Sequence, residues 1–483
     1  MEGDTSMGNV ASGSPTKGFF VSMLTRDIEL NDAIMDLLDN CLDGVVRQKG
    51  LGEKRDAPGF YNGYYSKITV SSDRFIIEDN CGGIPRTVAE NYAFRMGRNP
   101  DYVEDALPTV GIYGIGMKRA IFKIGQSATV VTRDSSDFYQ VDILPDWAST
   151  SDWDFPITDL SDEGVLPSRG TFISIGDINP EIQQLWNSLD KLSSFVDNLK
   201  KSIQQCYSFI IKKGFSIEIN GEIIEALPMN ILVDESDKKE SIKPFLYRQD
   251  FDDVSVYLAV GFYAPPPSPD EIDDENTMKR TTADAGWTVV CNDRVVLYND
   301  KSHLTGWGEA GVPQYHTQFI GIRGIVVFVS NNPNNLPMTT TKRGIDTSSP
   351  IYAVVKDKMR QGLKMFTDYT NRWKGRNETE REHSQDASSI SIDSLLGPKT
   401  EVESITKMKF HPAKSGEIIN PNLPSPPNDK PYRRISFNRG IDDIEDIIEF
   451  FFKDRTHAIT PSAVGEKCFD ETLIMAHKSK EGK

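Results

Sequence analysis

The clearest helical pattern along the chain lies in the stretch AIMDLLDNCLDG, residues 33–44. Apolar residues recur there at intervals of three and four, which predicts an amphipathic helix. The apolar stripe consists of Ile34, Leu37, Leu38, Cys41 and Val45, and the opposite stripe of Asp32, Asp36, Asn40 and Asp43. Carboxylates on neighbouring turns repel one another. We therefore expect the acidic face either to be a well-solvated surface or to lie where a cation binds.

The remaining patterns predict two strand-rich regions separated by a long helix. Residues 67–80 (KITVSSDRFIIEDN) have the pattern of a hairpin, and residues 169–178 that of a further strand. A helical period follows, and Asn220-Gly221 then marks a two-residue hairpin turn. The predicted parts are a flexible N-terminal arm (1–17), a first domain (18–180), a connecting helix (181–213), a smaller α/β domain (214–374), a linker (375–437) and a helical C-terminal segment (438–483) with exposed aromatic residues that faces a partner protein.

Composition narrows the class of protein. The 71 acidic and 54 basic residues give a formal net charge of -17, which argues against a protein that wraps a nucleic-acid backbone. A local basic channel is compatible with this charge. The five cysteines are scattered without a C-x-x-C pair, so neither a disulfide framework nor a structural zinc site is expected. Without a signal-peptide pattern or a membrane-spanning run, we expect a cytoplasmic protein with no membrane contact.

Two further stretches have the composition of ligand-binding loops. In IIEDNCGGIP, residues 76–85, a strand ends at Asp79 and two glycines follow. Such a carboxylate can accept a hydrogen bond from an exocyclic amine, and the glycines let backbone approach a flat ring. A plain Asp/Asn-Gly turn would give the same pattern.

The second stretch is GIYGIGMKRAIFKIG, residues 111–125. Its glycines precede an apolar helix, and free N–H groups at a helix start can hold an anion. The spacing from Gly111 to Gly116 is that of a Walker A loop, but Met117-Lys118 stands where Gly-Lys-Ser/Thr is needed. Taken alone, this loop is weak support for phosphate binding.

Taken in order, the three stretches resemble the N, G1 and G2 boxes of the GHKL superfamily of ATPases. This superfamily includes gyrase B, MutL, the heat-shock chaperone ATPases, histidine kinases and the MORC proteins. Gly170-Thr171 matches the adenine-site threonine, and LPMTTTKRGID, residues 336–346, matches the lysine loop of the transducer domain. The G2 box, Gly-x-Tyr-Gly-x-Gly-x-Lys, is most similar to that of the MORC proteins. The resemblance implies an α/β fold: a Bergerat-type ATP-binding sandwich with a mixed, mostly antiparallel sheet, then a smaller α/β transducer domain.

The resemblance also implies a role for individual residues, with ATP and Mg²⁺ as ligands. Asp36 corresponds to the general base, Asn40 to the Mg²⁺ ligand, and Lys342 to the transducer lysine that contacts the γ-phosphate. Asp79 corresponds to the acceptor for the adenine amine. The other positions that match nucleotide-binding segments are Gly83, Ile84, Gly111, Tyr113, Gly114, Ile115, Gly116, Met117, Lys118 and Thr171.

Two positions depart from the family pattern. Asp36 stands where the family usually has Glu, so the carboxylate is one methylene shorter and turnover is expected to be slow, or Asp39 shares the task. Cys81 replaces the first glycine of the usual D-x-G-x-G, where a small buried residue is a simpler interpretation than a redox sensor.

Three functions are compatible with these boxes. The first is an ATPase whose nucleotide cycle closes a homodimer, as in MORC or MutL clamps, some of whose bacterial relatives accompany defence against phage. The second is a nucleotide-gated interaction module with little turnover that signals to a partner. The third is a histidine kinase, which normally has its phosphoacceptor histidine ahead of the ATP domain. It is disfavoured because all six histidines follow the N, G1 and G2 boxes. No motif supports nuclease or strand-cleavage activity.

Overall fold

A computed structural model describes most of the chain. It covers residues 16–50, 57–95, 115–161, 166, 168–265, 282–339, 342–427, 435, 438–452 and 459–481. The chain divides into two compact units, one that ends at Pro426 and one that runs from Pro427 to Lys483. Both predicted α/β regions lie in the first unit.

The first α/β layer is built on an eight-stranded sheet. Its helices are α1 (Lys17–Arg26), α2 (Leu30–Lys49), α3 (Arg86–Val88), α4 (Gly116–Ile124), α5 (Pro180–Trp186) and α6 (Leu189–Lys212). Its strands are β1 (Tyr65–Val70), β2 (Phe75–Asp79), β3 (Gly125–Arg133), β4 (Phe138–Ile143), β5 (Ile157–Asp159), β6 (Gly170–Ile178), β7 (Ser216–Ile219) and β8 (Glu222–Ile223). They lie in the order β5-β4-β3-β6-β2-β1-β7-β8, and every neighbouring pair is antiparallel except β1 and β7. The predicted fold class is confirmed.

The core of this layer forms as the apolar patterns predict. The apolar stripe of α2 is buried, and Ile34, Leu38 and Val45 have no exposed surface. β1 and β2 pair antiparallel around the turn at Ser72-Asp73, which confirms the predicted hairpin. Helix α2 contacts both α4 and α6, so three helices share one core with the sheet. This packing fixes the acidic face of α2 relative to the start of α4.

The second α/β layer contains a seven-stranded sheet and a separate strand pair. Its strands are β9 (Asn230–Asp234), β10 (Phe245–Phe251), β11 (Val254–Phe262), β12 (Gly286–Cys291), β13 (Arg294–Asp300), β14 (Ile322–Ser330), β15 (Ala387–Ser391), β16 (His411–Pro412) and β17 (Glu417–Ile419). The larger sheet has the order β13-β12-β14-β11-β10-β17-β16, and β9 pairs with β15. Its helices are α7 (Pro350–Arg372), α8 (Asn377–Glu382), α9 (Ile392–Leu396) and α10 (Lys399–Thr406). Ser349 caps α7, whose Met359, Leu363 and Phe366 are fully buried in the core.

The two layers meet at α6 and β13. These elements contact each other, and Lys213 Nζ, just after α6, lies 2.8 Å from Asp293 Oδ1, just before β13. Because α6 also contacts α2, the second layer is held close to the acidic face of α2.

Several predicted boundaries are wrong. Residues 375–437 were expected to be a linker, but β15 and β17 from this segment complete the sheets of the second layer. The expected connecting helix is two helices, α5 and α6, interrupted at Asn187-Ser188, where the Ser188 side chain caps α6. The Asn220-Gly221 hairpin forms as expected, yet its strands extend the first sheet because β7 pairs in parallel with β1. Lys17 belongs to α1 and is buried, so it is not part of an arm.

The second unit contains two helices, α11 (Ile441–Phe452) and α12 (Pro461–Glu481). Phe450, Phe469 and Met475 are exposed on them. In the part of the chain that the structure describes, no helix combines the length and apolar character needed to cross a bilayer.

Candidate functional site

The acidic face of α2 is neither a solvated surface nor an open cation site. Asp36 is 5 %, Asp39 1 % and Asp43 2 % exposed. Asp32, nearer the start of the helix, pairs with Arg343 at 2.7 Å. Of the two expectations for this face, the solvated surface is wrong, because the second layer and α4 cover the carboxylates and supply basic side chains to them.

Asp36 lies between two basic residues from different elements. Arg119 of α4 donates to Asp36 Oδ2 through Nε at 3.1 Å and also through Nη2. Lys342 Nζ lies 3.7 Å from the other oxygen, Oδ1. Gly116 starts α4 directly against Asp36: a Cβ added there would lie 3.3 Å from Asp36 Cβ. The absence of a side chain at Gly116 therefore lets α4 approach the carboxylate.

Asp39 forms the centre of a buried ionic cluster. Its Oδ2 accepts from Lys342 Nζ at 2.8 Å, and its Oδ1 accepts from Arg294 Nε at 3.2 Å and Tyr207 Oη at 2.8 Å. Burial alone raises the pKa of this carboxyl, but Lys342 and Arg294 outweigh it and hold the pKa below its usual value. The arrangement keeps Asp39 ionised, so it is a structural anion rather than a ready proton acceptor.

Arg294 links the second layer to α2 from the first residue of β13. Its side chain is 2 % exposed, stacks on the Tyr207 ring at 4.2 Å and donates from Nη1 to the Cys206 carbonyl at 3.3 Å. The Tyr207 hydroxyl oxygen also lies 2.8 Å from the Met35 carbonyl oxygen. No short motif surrounds Arg294, so sequence reasoning missed it, and only strand pairing brings it to Asp39.

Lys342 reaches the acidic face from a turn in the second layer, which we call the lysine turn. Met338 and Ile345 bridge the base of the turn, and Thr339 N donates to the Gly344 carbonyl at 3.0 Å. Lys342 itself has φ +57°, a left-handed conformation that an L-residue adopts at some cost in strain. Burial lowers the pKa of its ammonium group, but Asp39, Asp36 and Asp43 raise it above the usual value. The lysine is therefore charged and held on α2.

Asp79 ends β2 inside the core, at the other end of the candidate site. It accepts from Cys81 N at 2.7 Å through Oδ1, and Cys41 Sγ of α2 lies 3.3 Å from Oδ2. Burial raises the pKa of this carboxyl to about 6. Thr171 lies directly opposite Asp79 in the antiparallel pair of β2 and β6, so two of the predicted ligand-binding residues are neighbours.

The glycine loop after Asp79 follows the backbone of neighbouring strands closely. Gly83 has φ +73°, and a Cβ there would lie 2.1 Å from the Arg133 carbonyl oxygen. Ile84 N donates to Thr132 Oγ1 at 2.7 Å. Gly170 is equally constrained, since a Cβ would lie 1.9 Å from the Asp79 carbonyl oxygen. These contacts require glycine and fix the loop against β3 and β6.

The predicted lid residues are only partly described. Gly111, Tyr113 and Gly114 lie outside the described residues. The described members are Ile115, Gly116, Met117 and Lys118, which form the start of α4. Lys118 does not lie against Asp36: its Nζ donates to the Ala93 carbonyl at 2.8 Å, and burial lowers its pKa to about 8. The residue of α4 that contacts Asp36 is Arg119, one position later.

Asn40 is partly exposed on α2, next in sequence to Cys41. Among the residues that the structure describes, no group of three or more His, Cys, Asp or Glu side chains could hold a metal ion. Mg²⁺ is commonly held by one or two protein oxygens together with phosphates and water. The assignment of Asn40 as a Mg²⁺ ligand stays a prediction.

Comparison with known proteins matches part of the chain to a family. No curated protein matches the chain. Residues 28–163 match the family described as histidine kinase-, DNA gyrase B-, and HSP90-like ATPase. The matched segment includes Asp36, Asn40 and Asp79 and ends before Thr171 and Lys342. The match supports ATP as the ligand, and it identifies residues 28–163 as an ATPase domain of the histidine kinase, gyrase B and HSP90 type, within the GHKL superfamily.

Proposed function

We propose that this protein binds ATP together with Mg²⁺ along α2 and hydrolyses it, and that the nucleotide state controls the association of two copies. The observation that carries the proposal is the convergence on Asp36 and Asp39 of Arg119 from α4 and Lys342 from the second layer. Lys342, the basic side chain from the second layer, suits a triphosphate whose last phosphate lies between the layers, while Arg119 stays paired with the Asp36 carboxylate.

The adenine end of the substrate is assigned to Asp79. Its carboxylate accepts a hydrogen bond from the exocyclic amine, while Gly83, Ile84 and Thr171 surround the ring. A pKa of about 6 leaves Asp79 mostly ionised at neutral pH, as an acceptor must be. The contact between Cys41 Sγ and Asp79 connects this end of the pocket to Asn40 and the phosphates.

The phosphate end is assigned to Asn40 and the start of α4. The Asn40 side-chain oxygen is the protein ligand for Mg²⁺, which supplies positive charge that stabilises the phosphates. The glycines of residues 111–116 and the first N–H groups of α4 bind phosphate oxygens. Lys118 adds a positive charge on this helix, although its Nζ donates to a backbone carbonyl.

Hydrolysis is assigned to Asp36. The carboxylate accepts a proton from a water molecule as the water oxygen bonds to the γ-phosphorus. The bond from that phosphorus to the β–γ bridging oxygen breaks, and ADP leaves with the electron pair. Asp39 is unsuited to this task because three donors occupy its oxygens.

Lys342 couples the nucleotide to the second layer. Its ammonium group now lies between Asp39 and Asp36, and a γ-phosphate competes with these carboxylates for it. ATP and ADP therefore leave the lysine turn in different positions. By analogy with MORC and MutL clamps, the ATP-bound arrangement promotes association of two first layers.

A second candidate function is a nucleotide-gated module with little turnover. The shorter side chain of Asp36 favours it, because its carboxylate reaches one methylene less far than Glu and its two oxygens already face Arg119 and Lys342. The exposed aromatic residues on α11 and α12 then provide the surface for a partner protein.

Steady-state ATP turnover with Mg²⁺ separates the two functions. We expect slow but multiple turnovers by the native chain, at least a hundredfold lower kcat in Asp36→Ala, and unchanged affinity for a non-hydrolysable ATP analogue. Asp32→Ala, an acid on the same helix that pairs with Arg343, is the matched control and should retain most of the activity. Tight ATP binding without turnover would establish the gated module instead.

Light scattering tests the association step. The non-hydrolysable analogue should double the apparent mass of the native chain, whereas ADP should not. An apparent mass that stays the same with the analogue would exclude nucleotide-driven dimerisation.

A further inference from the structure

Catalysis by Asp36 requires that its carboxylate be held in one orientation. An Asp carboxylate rotates broadly about χ2, and a general base must be oriented closely towards the water it deprotonates. α4 approaches Asp36 closely because Gly116 has no side chain. The approach places the next turn of α4, and therefore Arg119, against the carboxylate.

Arg119 holds one oxygen of Asp36 and leaves the other available. Both Nε and Nη2 of Arg119 contact Oδ2. The pair is largely buried, with side-chain exposures of 13 % for Arg119 and 5 % for Asp36. Two donors from a planar guanidinium group on one oxygen restrict rotation of the carboxylate.

The second oxygen, Oδ1, faces Lys342 at 3.7 Å, but this lysine forms its shorter contact with Asp39 at 2.8 Å. Once a γ-phosphate attracts Lys342, Oδ1 becomes the only oxygen of Asp36 without a cation against it. Oδ2 stays fixed by Arg119, which belongs to α4 and not to the lysine turn.

We propose that Arg119 is the positioning residue for Asp36 in ATP hydrolysis: it fixes Oδ2 so that Oδ1 accepts the proton from water. This inference rests on the proposed hydrolysis and adds a residue that the sequence boxes did not identify. Because Arg119 belongs to α4, the position of α4 also sets the orientation of the Asp36 carboxylate.

A double-mutant cycle tests this role. Arg119→Met removes the charge and keeps much of the bulk, and Arg119→Lys keeps the charge without the forked donors. We expect Arg119→Met to lower kcat by about 10- to 100-fold, because misplacement by about 1 Å has this effect. Its affinity for a non-hydrolysable ATP analogue should stay within about threefold of native, and Arg119→Lys should restore part of kcat.

The decisive comparison repeats Arg119→Met in the Asp36→Ala background. If Arg119 acts through Asp36, the second substitution causes no further loss of kcat. Lys123→Met is the control for loosening of α4, since Lys123 lies on the same helix but donates to the Thr25 carbonyl. It should leave kcat and the melting temperature near native values.

Each other outcome overturns the proposal in a recognisable way. The same fold-loss of kcat in both backgrounds would mean that Arg119 acts independently of Asp36. A loss of analogue affinity as large as the loss of kcat would make Arg119 a nucleotide ligand. A native chain that binds the analogue but shows no turnover would remove the proposed hydrolysis itself, and the role of Arg119 with it.

Discussion

At the scale of single residues, the partners of each buried carboxylate determine what it can do. Asp39 and Asp79 are both buried, yet Asp39 has three charged or polar donors and Asp79 has a backbone N–H and a thiol. The pKa of Asp39 is consequently lowered, while that of Asp79 is raised to about 6. Asp39 therefore stays ionised in the ionic cluster. Asp79 becomes protonated in mild acid, and its carboxyl group then no longer acts only as a hydrogen-bond acceptor.

The raised pKa of Asp79 predicts a pH-dependent stability. The folded chain binds the proton more tightly than the unfolded chain, so stability falls as pH rises from about 4 through 6. The difference of roughly two pH units corresponds to on the order of 3 kcal/mol. Melting temperatures of native and Asp79→Asn chains between pH 4.5 and 7.5 measure this, and the native chain should lose stability relative to the variant across that range.

The control for this prediction is Asp73→Asn, which removes an exposed carboxyl from the β1–β2 turn. Its melting temperature should follow that of the native chain at each pH. A difference between native and Asp79→Asn that does not change with pH would show that Asp79 has an ordinary pKa.

At the scale of elements, α2 is the helix that contacts both layers. Its apolar stripe packs in the first core, and its carboxylates Asp36 and Asp39 contact basic side chains from α4, β13 and the lysine turn. A buried ion pair adds little net stability over a well-packed apolar pair, but removing one partner leaves a costly buried charge. The junction between the layers therefore depends on Arg294 more than on any exposed pair.

Arg294→Met tests this dependence. We expect it to destabilise the chain by about 3 to 5 kcal/mol, because Asp39 loses a buried cation and Tyr207 loses its stacking partner. Arg343→Met breaks the more exposed pair with Asp32 on the same helix and should cost less than about 1 kcal/mol. Denaturant unfolding of both variants gives the comparison, and equal costs would refute a central role for the buried cluster.

At the scale of the whole molecule, the first unit extends about fifty residues beyond the boundary that the sequence predicts. Residues after 374 supply β15 and β17 to the sheets and bury Ile392, Leu395 and Ile419. Trp373 Nε1 also donates to the Pro424 carbonyl at 3.1 Å. The second layer is therefore complete only near Pro426.

Truncation tests where the first unit ends. A chain that stops at Pro426 should keep the cooperative melting of the first unit. A chain that stops at Lys374 should melt about 10 °C lower or aggregate, because several buried aliphatic side chains, each worth about 1.5 to 3 kcal/mol, are lost. Equal melting temperatures for the two truncated chains would show that residues 375–426 are dispensable for folding.

The sequence predicted the fold class and the positions of α2 and β2, because their signals are local. A helical period identifies the two stripes of α2, and Asp79 followed by glycines identifies the end of β2. Arg119 and Arg294 were missed because their roles depend on the approach of α4 and the pairing of β13, which no short pattern encodes. The composition of residues 375–437 predicts a linker because the segment is rich in Ser and Pro and its strands are only two to five residues long.

The most direct test of the central claim, an ATP site along α2 that ends at Asp79, is equilibrium binding of labelled ATP with Mg²⁺. The native chain should bind one ATP per chain, Asp79→Asn should bind at least tenfold more weakly, and Asp73→Asn should bind as the native chain does. If the native chain binds no ATP, or if Asp79→Asn binds it with native affinity, the assignment of this site is wrong.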